Sequence, residues 1–62
     1  MTESEKRQDM LEQLGGITKK MDVPDYRRTD YRWLQRNLAS RNSDKPGFDK
    51  AMVIIHELVR MG

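Results

Sequence analysis

Apolar positions recur with helical spacing in two stretches of the chain and more weakly in a third, with turn-forming residues between them. Tyr31, Leu34 and Leu38 are three and four residues apart. At about 100° per residue they fall within an arc of roughly 60°. Ala39 lies about 80° from Tyr31 on the side away from Leu34, which extends the expected core face. Arg32, Arg36 and Ser40 share the opposite face, with Trp33 beside them. The spacing predicts a helix over 30–42, capped by Thr29 or Asp30. Farther on, Ala51, Ile54, Ile55 and Leu58 occupy an arc of roughly 100°, flanked by Met52, Val59 and Met61. Asp49, His56, Glu57 and Arg60 lie opposite. This predicts a helix over 48–61, with Phe48 closing the core at its entrance. Ser43 to Gly47 reads as a turn, because Pro46-Gly47 cannot continue a helix.

The first segment is weaker. Thr2 and Glu5 fit a capping box, and Glu3 and Glu5 suit the positive end of a helix dipole. Met10, Leu11 and Leu14 form a short apolar stripe, and Gly15-Gly16 offers a C-cap. A helix over 3–14 is predicted. Met10, Leu14, Ile17 and Met21 are also spaced four, three and four apart, as in a heptad seam. A helix through both glycines would carry a cost of about 1 kcal/mol for each, so a break is preferred. Residues 17–28 then form a connector, where Pro24 moves Val23 out of helical geometry. No alternation with a period of two persists, and no repeat is present. The expected fold is all-α: one small three-helix domain over residues 1–62, whose last two helices form an amphipathic helix–loop–helix core. Residues 1–25 are expected to pack loosely or stay partly flexible.

Composition narrows the chemistry. The chain has 62 residues, no cysteine and one histidine. Disulfides and thiolate metal sites are excluded, and a structural zinc site is not expected. A chain this short buries only about 60% of the surface its unfolded form exposes, so stability is marginal. Mean hydropathy is −0.94, polar enough to raise disorder as an alternative. Catalysis is not expected: His56 sits on the polar face of its helix, and few residues remain to build a water-excluding pocket. Gly15-Gly16-Ile17-Thr18-Lys19-Lys20 lacks the spacing of a phosphate-binding loop. No cofactor or metal is expected. No secretory or lipidation signal is read at the ends. The longest apolar run, Ala51 to Ile55, is far below the roughly 20 residues that span a bilayer. A cytoplasmic protein without membrane association is the expectation.

Charge changes the picture most. The net charge is +2. Residues 1–25 carry four Lys or Arg against six Asp or Glu, residues 26–45 carry six against two, and residues 46–62 balance. Tyr26 to Asn42 holds five arginines, two tyrosines and a tryptophan. Arginine suits bidentate phosphate and guanine contacts, aromatic rings stack on bases, and Gln35, Asn37 and Asn42 can address base edges. Arg27, Arg28, Arg32, Trp33, Arg36, Asn37 and Arg41 are the candidate binding residues. Nucleic acid is the first expected partner. The two-helix outline loosely resembles a helix-turn-helix, but the loop is long and the basic helix comes first. An acidic protein surface is the alternative, since Trp, Tyr and Arg dominate interface hot spots. Local ion pairing, such as Asp30 with Arg27, would instead leave the arginines as a solvated face. Trp33 would then be a core-edge residue anchoring the N-terminal helix. A homodimer through the C-terminal helix would cover any apolar arc that a small chain leaves open.

Overall fold

Three α-helices and one short 3-10 turn follow in order: α1 (Glu3–Thr18), the turn (Asp25–Arg27), α2 (Tyr31–Asn42) and α3 (Phe48–Met61). The computed structural model describes residues 2–61. α3 is the central element and packs on both α1 and α2. Ala51, Ile54, Ile55 and Leu58 of α3 meet Leu14, Leu34 and Leu38, and Met21 closes the cluster. Phe48 packs half-buried at the entrance of α3. The radius of gyration, 10.9 Å, is near the about 10.6 Å of a compact chain this long. Burial of α3's arc inside one chain leaves Val53 as the exposed large hydrophobic of that helix among the described residues.

The expected break at Gly15-Gly16 does not occur. α1 continues through both glycines to Thr18, where the Lys19 N–H donates to the Gly15 carbonyl at 3.0 Å and the Lys20 N–H to the Ile17 carbonyl at 3.4 Å. Leu14 and Thr18, one turn apart on either side of the glycines, are both wholly buried. Their burial outweighs the glycine cost. The Thr18 hydroxyl lies 2.9 Å from the Leu14 carbonyl and 2.9 Å from the Arg28 carbonyl. Its one proton serves either, which ties the end of α1 to the far end of the connector. Thr2 does cap the start: its Oγ1 accepts the Glu5 N–H at 3.2 Å. From Thr2 to Asp9 every side chain is exposed, while Leu14, Thr18 and Met21 are buried.

α2 and α3 begin and end where the pattern places them, within a residue. Asp30, not Thr29, caps α2 by accepting the Trp33 N–H at 3.3 Å. Ala39 is exposed rather than in the core, because Asn42 takes the buried position on that side of the helix. The turn before α3 is closed by the Phe48 N–H donating to the Lys45 carbonyl at 3.2 Å. Pro46 and Gly47 fill its two central places, and Gly47 has φ +86, as a type II turn requires.

A β-carbon at Gly47 would lie 3.2 Å from Ile17 Cγ2, whereas one at Gly16 would meet nothing within 4 Å. Gly47→Ala is therefore expected to cost more than about 1 kcal/mol. Gly16→Ala should gain about 0.5–1 kcal/mol from helix propensity. Denaturant midpoints of the two variants check both, and a parent-like midpoint for Gly47→Ala would contradict the turn assignment.

Candidate functional site

The connector, residues 19–30, determines what lies beside α2. Asn42 is buried at the end of α2 and grips the Asp22 backbone from both sides. Its Oδ1 accepts the Asp22 N–H at 2.8 Å, and its Nδ2 donates to the Asp22 carbonyl at 3.4 Å. This removes Asn42 from the residues able to address a base edge. At 1% exposure, its remaining N–H and lone pair are not presented to a partner.

Downstream, the chain turns through Asp25–Arg27 and lays Arg27 across the aromatic side chains. The Arg27 guanidinium carbon lies 5.3 Å from the Tyr26 ring centre and 5.3 Å from that of Trp33. Both distances are within cation–π range. Its Nη1 also donates to Asp30 Oδ2 at 2.6 Å. Asp30 therefore accepts both the Arg27 guanidinium and the Trp33 N–H, and these bonds hold its carboxyl below the ordinary carboxylate range. Trp33 is half-buried. It packs against the edge of the core, and Arg27 of the connector lies over its ring.

The arginines divide into two groups. Arg28 pairs with Asp25 at 2.7 Å and Arg41 more loosely with Asp22 at 3.4 Å, while Arg27 holds Asp30. Local ion pairing thus accounts for three of the five. Arg32 and Arg36 are exposed and have no carboxylate in ion-pair reach among the described residues. Separated by four residues, they stand about 6 Å apart along the helix.

Two depressions flank Trp33. The first, about 490 Å³, is lined by Arg27, Asp30, Arg32, Trp33, Gln35, Arg36, Asn37 and, from α3, Val59. The second, about 520 Å³, lies between Asp22, Val23 and Pro24 of the connector and Trp33, Asn37, Ser40, Arg41 and Asn42 of α2. Trp33 and Asn37 line both and form the ridge between them. Of the seven sequence candidates, the structure brings Arg27, Arg32, Trp33, Arg36 and Asn37 around the first depression and Arg41 to the second. Arg28 lines neither. It turns to Asp25, and its Nε is buried without a protein partner. Val59, Val23 and Pro24 were not legible as site residues, because nothing in their spacing ties them to α2. Asp22, two residues before Pro24, is likewise not tied to α2 by spacing.

Among the described residues, no three His, Asp or Glu side chains are placed to hold a metal ion, and no helix is long and apolar enough to cross a membrane. Comparison of the chain with protein-family models, curated proteins and solved structures finds no match.

The Arg27–Asp30 pair has a testable pH signature. Asp30's carboxyl is depressed in the folded chain, so the stability it contributes is complete above its unfolded value and is lost as pH falls through the lowered folded value. NMR titration of the Asp30 carboxyl should place its midpoint below that of an ordinary aspartate. In Arg27→Ala the midpoint should rise, and an unmoved midpoint would remove Arg27 as the cause.

Proposed function

We propose that the protein is a soluble, cytoplasmic, non-enzymatic module that binds nucleic acid through the outward face of α2. The observation that supports this is the pair of guanidiniums, Arg32 and Arg36, one helical turn apart beside a half-buried tryptophan and without a carboxylate partner among the described residues. Guanidiniums without internal carboxylates can neutralise phosphates, and phosphate contact makes affinity fall with salt. Gln35 and Asn37, on the rim of the same depression, supply amide groups for base edges.

A second reading, an acidic protein surface, draws on the three internal ion pairs. They leave a mixed-charge face around Trp33, as in many protein interfaces. A second copy of the chain docking on α3 would draw on exposed Val53 with Met52 and Val59 at its side. A clean monomer in sedimentation at high concentration excludes that arrangement.

Titration with DNA and RNA oligonucleotides at two salt concentrations separates the readings. Binding should weaken with salt. The double variant Arg32→Ala, Arg36→Ala should flatten the log–log slope by about 0.7–0.9 per arginine removed. Absence of binding at low salt, or a slope untouched by the double variant, would overturn the nucleic-acid reading.

A further inference from the structure

We propose that the second depression seats one unpaired nucleobase, with the strand crossing the Trp33 ridge so that its phosphates reach Arg32 and Arg36. This rests on the nucleic-acid reading above and specifies its ligand as single-stranded.

Charge divides the two sides of the ridge. On one side stand Arg32 and Arg36, without carboxylate partners among the described residues. On the other, Asp22 presents a largely exposed carboxylate and Arg41 is already held to it at 3.4 Å. Each side also holds one carboxylate paired to an arginine, Asp30 with Arg27 on the first and Asp22 with Arg41 on the second, so Arg32 and Arg36 tip the balance and the anionic backbone belongs on the first side. The uncharged part of a nucleotide, its base, belongs on the second.

The second depression also has the chemistry a base needs. Trp33 gives it an aromatic wall, and Pro24 and Val23 give it aliphatic ones, which suit the apolar faces of a planar heterocycle. Its polar groups include both donors and acceptors with capacity left over. Asn37 Nδ2 donates to the Trp33 carbonyl at 2.8 Å, which leaves Oδ1 and the second N–H free. Ser40 Oγ donates to the Asn37 carbonyl at 2.7 Å and keeps its lone pairs. Arg41 adds N–H groups beyond the one it gives Asp22. The volume, about 520 Å³, lies in the range of small-ligand sites, roughly 300–1,000 Å³. The site is preformed, because Asn42 fixes the Asp22 backbone that builds its far wall.

A base paired and stacked in a duplex can enter no such site. Single strands, loops and bulges can.

Trp33 is the sole tryptophan, so its fluorescence reports the ridge directly. The test uses the full chain with a short single strand, the matching duplex, and the same strand with its bases removed at abasic positions. The single strand should quench Trp33 and bind at least about tenfold tighter than the other two. Ser40→Leu and Ser40→Phe, which crowd the second depression from a position that does not line the first, should erase most of that preference while leaving duplex binding in place. Circular dichroism confirms that the variants are folded. Equal affinity for duplex or abasic strand, or binding that leaves Trp33 fluorescence unchanged, overturns the base site while the phosphate-binding face stands. Failure of every oligonucleotide to bind at low salt overturns both.

Discussion

The grip of the buried Asn42 amide on the Asp22 backbone decides where the irregular part of this protein lies. Residues 19–30 contain one short 3-10 turn and no other regular element, and their backbone hydrogen bonds reach only two to four residues along the chain, so those bonds shape the segment locally without fixing it against α2. Two buried polar side chains supply what is missing. Asn42, at the end of α2, holds the connector's first half. Thr18, at the end of α1, reaches its last residues through the Arg28 carbonyl. A buried amide left without a partner costs about 1–3 kcal/mol, so Asn42 selects the connector path that satisfies it, and on that path the Arg28 carbonyl lies within reach of the Thr18 hydroxyl. That path brings Pro24, Arg27 and Asp30 against α2.

The electrostatics of the face follow from that path. The sequence shows a block of positive charge, but the fold spends more than half of its arginines internally. Asp22, Asp25 and Asp30 all come from the connector, and each meets an arginine. These pairs are largely exposed and contribute little to stability. Their larger effect is to localise the remaining positive charge on Arg32 and Arg36. Arg27 has a further role, since it fills the space between Tyr26 and Trp33 and holds the tryptophan ring beside the connector. A basic helix thereby becomes a surface with a cationic side, an aromatic ridge and a near-neutral side.

Much of the fold was legible because it depends on local periodicity. The faces of α2 and α3 follow from 3.6-residue spacing, and the turn between them follows from Pro46-Gly47, where the φ of +86 at Gly47 suits glycine. The course of α1 was not legible. Local propensity favoured a stop at Gly15-Gly16, and the burial of Leu14 and Thr18 against other elements overrode it. Ala39 and Asn42 exchanged expected places for a similar reason. The helical wheel ranks alanine as more apolar than asparagine, but the Asp22 backbone gave the amide a buried partner.

What the sequence alone determined is the helical architecture, the core faces of α2 and α3, and the concentration of arginine and aromatic residues in one stretch. These are properties of spacing and composition, and each residue's neighbours along the chain are enough to define them. The tertiary structure decided which arginines meet a carboxylate among the described residues, that Arg27 of the connector lies over Trp33 at the edge of the core, and that Val23 and Pro24 face α2 across a depression. Those outcomes depend on contacts between elements remote in sequence, made by side chains whose partners appear only once the connector is fixed in place.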